Sequence, residues 1–253
     1  MLRHPTFAKL HSLRLAGMAQ AFEEQQHQPD ITQLGFEERL GLLVDREETE
    51  RAQRLLKSRL TRAKLRQQAC IEDLDFKTPR GLDRALLGAL ATGQWIRERL
   101  NLLITGPAGV GKSWIACALA HQACRLGFSV LYQRLPRLLE ALALARADGS
   151  YAKLLQQLAR VDVLVLDDWG ITPLTDEARR DLLEVLDDRY QRQSTLVTSQ
   201  LPIEHWYDYL GDPTLADAIL DRLVHASHRI VLRGESMRKK HAVGLTETIA
   251  THP

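Results

Sequence analysis

Leu100-Asn101-Leu102-Leu103-Ile104-Thr105-Gly106-Pro107-Ala108-Gly109-Val110-Gly111-Lys112-Ser113-Trp114 is the stretch that decides the fold of this chain. Leu100 to Thr105 is an apolar run of strand length, and Ile115, Ala116, Leu119 and Ala120 continue beyond it at helical spacing. Between them, Gly106 to Ser113 fits the pattern G-x-x-x-x-G-K-[ST]. Glycines at 106, 109 and 111 allow successive backbone N–H groups to turn inward around a phosphate, and the following helix adds its N-terminal donors and partial charge. Lys112 is then expected to reach the β- and γ-phosphates, and the Ser113 hydroxyl to ligate Mg²⁺. A plain glycine-rich turn in an α/β domain is the competing reading. The full match in a strand–loop–helix context favours a nucleoside triphosphate, with Gly106 through Trp114 as its contacts.

Some fifty residues on, Val161-Asp162-Val163-Leu164-Val165-Leu166-Asp167-Asp168 reads as a buried strand ending in two carboxylates. In open α/β sheets, ligands bind at the carboxyl ends of the strands. Asp167 is therefore expected in the Mg²⁺ shell, and Asp168 where it can orient or deprotonate an attacking water. Two helix-capping aspartates would look the same in isolation. Further strands are expected at Phe128–Tyr132, Ser194–Gln200 and His228–Leu232, with amphipathic helices between them. The polar end of the fourth strand, Thr198-Ser199-Gln200, either faces the γ-phosphate or is simply a polar terminus.

Residues 1–70 read as a helical domain of about three helices: one through Phe7 to Phe22, one from Phe36 to Val44, and a third from about Asp45 to Ala69. The third carries Arg51, Arg54, Lys57, Arg59, Arg62, Lys64 and Arg66 with no acidic residue among them. Solvated helices usually interleave Glu with Lys or Arg, so this run points to the phosphates of duplex DNA, without sequence preference. A solvated basic face is the alternative. Residues 71–81, closing on Thr78-Pro79-Arg80-Gly81, read as a linker, 82–245 as the nucleotide-binding domain and 246–253 as a polar tail.

The bulk properties set limits. Charged residues at 26% and hydrophobic ones at 45% describe a soluble globular chain. No run approaches the length of a membrane span, and the N-terminus lacks a signal-peptide core, so a cytoplasmic location without membrane contact is expected. Three cysteines, Cys70, Cys117 and Cys124, cannot all pair and show no metal-ligand spacing.

With these motifs in order, the chain resembles the IstB-like transposition ATPases, AAA+ helpers of a bacterial insertion-sequence family and relatives of the bacterial helicase loaders. The resemblance runs through LHSLRLAGMAQAFEEQ, the basic helix, IEDLDF, RGLDRALL, GPAGVGKS, VLVLDDWG, TLVTSQLP, LDRLVH and GESMRKK. It implies an α/β fold: an AAA+ P-loop core with a five-stranded parallel sheet, a helical N-terminal domain and a reduced or absent C-terminal lid. It also implies ATP and Mg²⁺ as cofactors, homo-oligomers on duplex DNA, and a partner transposase. On the same resemblance Gln200 occupies the sensor-1 position and Arg222 looks like an arginine finger acting on a neighbour's nucleotide. An ordinary ion pair to Asp221 or Asp217 is the other reading of Arg222. Asp168 stands where many such proteins have Glu, Gln200 where Asn is expected, and Arg238 is a candidate for the sensor-2 arginine, contact of Arg238, Lys239 and Lys240 with DNA or a neighbouring subunit being the other reading. A loader acting on a replicative helicase is the competing function.

Overall fold

Five parallel strands in the order β2-β3-β4-β1-β5 form the centre of the protein. The computed structural model describes residues 5–237. The chain divides into two units, Met1–Ser58 and Arg59–Pro253, the division falling within one long helix. The expected linker at 71–81 lies inside the second unit.

In the first unit, α1 (Pro5–Ser12) and α2 (Ala16–His27) replace the single expected helix. The break is a Schellman turn. Arg14 takes a left-handed φ of 60°, its N–H donates to His11 O, and Leu15 N–H donates to Leu10 O. Such turns usually advertise themselves by glycine, so an arginine there leaves no sequence signal. In the opposite sense, the two helices expected on either side of residue 45 are one helix, α3 (Phe36–Ala63). Nothing between Val44 and Asp45 stops a helix; only the composition changes there. Helix α3 ends at Ala63, not Ala69, because Lys64 turns left-handed at φ 53°.

Glu47, on α3, is buried and accepts from the backbone N–H groups of Gly17 (2.8 Å) and Met18 (3.2 Å), and from Arg51 Nε (2.7 Å). It satisfies N–H groups in the first turn of α2 that have no partner within the helix. Burial pushes its carboxyl up, but the hydrogen bonds from Arg51, Met18 and Gly17 outweigh this and hold it below the usual range.

The second unit adds α4 (Arg84–Ala91), α5 (Gln94–Arg97), β1 (Asn101–Thr105), α6 (Lys112–Arg125), β2 (Val130–Arg134), α7 (Leu135–Asp148), α8 (Tyr151–Arg160) and β3 (Val163–Trp169). It continues with α9 (Asp176–Arg189), β4 (Ser194–Ser199), α10 (Trp206–Leu210), α11 (Pro213–Val224) and β5 (Ser227–Val231). Strands β1 and β4 are buried along their whole length, as befits central strands of a parallel sheet with both faces covered. One layer of core joins Leu138, Leu142, Leu182 and Leu186 to the tilted pair Trp169–Trp206, whose rings lie 4.9 Å apart. Arg189 is buried and donates to Leu158 O, Val161 O, Ser194 O and Thr195 Oγ1, tying the ends of α8 and α9 to the start of β4.

Of the cysteines, Cys117 and Cys124 are buried on α6 and Cys70 is half-buried; all three are free thiols. Among the described residues, no helix is long and apolar enough to cross a membrane.

Candidate functional site

The glycine-rich loop connects β1 to α6 at the carboxyl edge of the sheet, as its sequence predicts. Its glycines are there for space as well as for angle. A Cβ on Gly106 (φ 148°) would come within 2.5 Å of Leu232 O, and one on Gly111 (φ 96°) within 2.5 Å of Arg80 Nη1. Lys112 opens α6 and its Nζ donates to Gly106 O and Pro107 O, both at 2.8 Å. Val110 is buried beneath the loop. The backbone following β5 closes over it, with Met237 N–H donating to Gly109 O at 2.9 Å.

Strand β3 delivers Asp167 to the same place. Ser113 Oγ donates to Asp167 Oδ1 at 2.8 Å, so the two residues expected to share Mg²⁺ are already in contact. Tyr132 from β2 and Thr198 from β4 also donate to this carboxylate, which is fully buried and well supplied with donors. Burial and the adjacent Asp167 raise the Tyr132 phenol far above its ordinary range, so it remains a donor.

Asp168 faces elsewhere because the strand bulges. Leu166 pairs with Val197 but Trp169 pairs with Ser199, so β3 has one residue more than β4 over this interval. Asp168 has the left-handed φ of 65°, uncommon for a residue with a side chain. Asp168 thereby lines the cleft with Asp167 buried beside it, and Arg66 lies within ion-pair distance of both carboxylates. Arg134, the last residue of β2, donates from Nε to Asp168 Oδ2 at 2.5 Å.

These groups line a cleft of about 960 Å³, at the upper end of the size usual for small-molecule sites. Ala108, Gly109, Gly111, Lys112, Ser113 and Trp114 form its floor, and Asp168, Thr198, Ser199 and Gln200 line it too. Another part of the lining comes from Asp73, Asp75, Thr78 and Arg80, residues of the stretch expected to be a linker. Arg80 is buried and donates to Val110 O (2.8 Å) and Asp75 O (3.0 Å), bracing the loop from behind. The donor set fits a Mg²⁺-bound triphosphate: a glycine cradle that a Cβ would fill, a lysine at its base, and a serine beside a buried aspartate.

The expected DNA-binding cations are distributed unevenly. Arg54, Lys57, Arg62 and Lys64 are exposed, and Arg59 is half-buried. Arg51 is paired to Glu47. Arg66 is in the cleft: its Nη1 is 3.6 Å from Asp167 Oδ2 and 3.9 Å from Asp168 Oδ2. A hydrogen bond to Tyr132 keeps its guanidinium firmly charged. Arg222, on the last turn of α11, lies at the opposite edge of the sheet. It is ion-paired with Asp187, not with Asp221 or Asp217, and donates to Ala218 O at 2.7 Å. Arg238 lies outside the described residues.

Sequence reasoning missed Tyr132, Arg134 and Arg80 as site residues and grouped Arg66 with the DNA-binding cations. Arg134 ends a strand next to β3, and that position at the carboxyl edge was the available signal, while Tyr132 lies two residues earlier on the same strand. Nothing local marks Arg66 or Arg80.

Residues 8–244 match the family model described as IstB-like ATP binding protein. The chain is 57% identical over 239 residues to the insertion sequence ATP-binding protein y4pL of Sinorhizobium fredii, covering 94% of this chain and 98% of the relative. It is 57% identical over 203 residues to the IS1162 ATP-binding protein of Pseudomonas fluorescens, covering 80% and 88% of the two chains. Among solved structures, DnaI matches with a TM-score of 0.57 at 22% identity, over 65% of this chain and 91% of its own. The DnaC helicase loader matches with a TM-score of 0.55 at 20% identity, over 65% and 96%. At such identities the likeness is one of fold, and that fold is the AAA+ P-loop domain. The phosphate cradle, the Ser113–Asp167 contact and the near full-length match together place this chain in the IstB-like ATP-binding family.

Proposed function

We propose that this protein is an ATPase that assembles on duplex DNA in the presence of ATP and assists a partner transposase in target selection and insertion. The observation that carries the reading is the contact between Ser113 and Asp167 beneath the glycine loop. It supports reading the cleft as a Mg²⁺·triphosphate site, and the names of the relatives supply the insertion-sequence setting. Mg²⁺ would be held by Ser113 and Asp167 and would supply charge neutralisation at the phosphates. Lys112 binds phosphate oxygens, and Asp168 takes the proton of the attacking water. Its tight pairing with Arg134 fixes where that carboxylate points.

Asp168→Asn should therefore leave ATP affinity within about twofold while lowering turnover by about 10²-fold or more, the range for loss of a general base. Single-turnover phosphate release beside nucleotide titration checks this, and undiminished turnover removes Asp168 from the role.

Duplex contact is assigned to the exposed cations Arg54, Lys57, Arg62 and Lys64 of α3 and its end, with Arg59 alongside. Binding of this kind releases counterions from the phosphates, so affinity falls with salt in proportion to the number of charges neutralised. Replacing those four exposed residues by Ser should weaken binding to linear duplex and reduce the salt slope by up to about 3.6, at about 0.9 for each phosphate no longer neutralised. Sedimentation with and without a non-hydrolysable ATP analogue reads assembly in the same samples. An unaltered slope returns the helix to a solvated face. Capture of a replicative helicase in place of the transposase would favour the loader reading.

A further inference from the structure

Arg66 is the last cation of the basic run, yet its guanidinium faces the carboxylates Asp167 and Asp168 at 3.6 and 3.9 Å. We propose that Arg66 is a positioning residue of the ATP site that acts within its own subunit, reaching the terminal phosphate and giving the cleft its preference for triphosphate over diphosphate. This deepens the reading of the cleft as an ATP site and rests on it.

The placement argues for the terminal phosphate and against the base or ribose. Arg66 stands beside the Ser113–Asp167 pair, which marks the Mg²⁺ end of the cleft. Its two carboxylate contacts are longer than hydrogen bonds, so the guanidinium is attracted to both without a bidentate lock. Its side chain is 45% exposed, which leaves it room to swing. Of the cleft's other cations, Lys112 is bonded to Gly106 O and Pro107 O, Arg134 to Asp168, and Arg80 to Val110 O and Asp75 O, whereas Arg66 is held by Tyr132 and the two longer carboxylate contacts. A divalent cation on Asp167 would bring like charge close to Arg66. Oxygens of a terminal phosphate lying between them relieve that repulsion and accept the guanidinium's hydrogens. A diphosphate does not extend to this point, so Arg66 contributes to ATP binding and little to ADP binding.

The backbone supports such a fixed placement. Ala63 is buried at the end of α3, Lys64 reverses the chain with a left-handed φ of 53°, and Ala69 is buried just beyond Arg66. Arg66 is thus carried past the end of α3 into the lining of the cleft.

The test is a fluorescence titration of Mg²⁺ with ADP and with a non-hydrolysable ATP analogue, on the wild-type chain, Arg66→Ala and Arg66→Lys. Arg66→Ala should lose about tenfold or more in affinity for the triphosphate analogue, the weight of one charge-assisted hydrogen bond, with ADP affinity within about twofold. Arg66→Lys should fall between, since it keeps the charge and loses the fork. Retained ADP binding also reports that the variant is folded and the nucleotide site intact. Equal losses for both nucleotides, or no loss of triphosphate affinity, overturn the proposal while leaving the ATP-site reading in place. A wild-type chain that binds neither nucleotide overturns both.

Discussion

Lys112→Ala is expected to lower ATP affinity by at least about 100-fold and, with it, to abolish nucleotide-dependent assembly on duplex DNA. Lys112 is almost buried at the first position of α6, and its ammonium bridges the carbonyls of Gly106 and Pro107 at 2.8 Å each. In that position it would face the β- and γ-phosphates of a bound triphosphate, where each charge-assisted hydrogen bond is worth about 1.5–3 kcal/mol. Two such bonds correspond to roughly 10² to 10⁴ in affinity. The fold should tolerate the change. The alanine leaves two loop carbonyls short of one donor near an open cleft, and it removes a charge from a nearly buried place. Calorimetric titration with Mg²⁺·ATP measures the affinity, and sedimentation with linear duplex measures the assembly. Normal ATP-dependent assembly by the variant would sink the proposed function, because among the described residues no other lysine lines the cleft.

The phosphate loop was legible residue by residue because its chemistry is local. Glycine angles, a lysine and a hydroxyl must follow one another in a fixed order, and sequence displays order. Asp167 was legible for a similar reason, since a buried parallel strand sends its end to the ligand edge. The surroundings of Asp167 were less so. Tyr132, Thr198 and Arg134 converge on the aspartate pair from two neighbouring strands, and which strands are neighbours depends on a topology that no window reveals. The bulge that turns Asp168 into the cleft is equally silent, because it exists only in the register between β3 and β4. Arg66 shows the limit of reading charge runs. Seven cations in a row look like one surface, but Lys64 turns the chain and hands the last of them to a different site. Arg51 leaves the same run in the other direction, through Glu47 on the helix turn before it.

Arg222→Ala is expected to reduce turnover about 10³-fold or more in DNA-bound assemblies while leaving ATP affinity of the isolated chain unchanged. Arg222 cannot serve the nucleotide of its own subunit. It sits on α11 just before β5, and its carbonyl accepts from Asn101 Nδ2 at 2.8 Å, at the start of β1. The phosphate loop leaves the far end of that five-residue strand, about 16 Å away at about 3.3 Å per residue. A direct effect of Arg222 on hydrolysis would therefore have to be exerted on a neighbouring copy, which is how arginine fingers supplied in trans contribute about 10³ to 10⁵ in rate. Its contacts in this structure do not explain it as a structural residue. The pair with Asp187 is partly exposed, the Tyr190 ring lies 5.8 Å from the guanidinium carbon, and pairs of that kind contribute about 0–1 kcal/mol. Stability should accordingly change little in the variant. Arg222→Lys should fail to restore the rate, since an ammonium lacks the planar fork that spans two phosphate oxygens. Mixing experiments isolate the trans effect. Arg222→Ala subunits, whose own cleft is intact, should regain turnover when combined with Asp168→Asn subunits, whose arginine is intact. No recovery in the mixed assemblies, or full activity of Arg222→Ala alone, removes Arg222 from the shared site and leaves it as a surface ion pair.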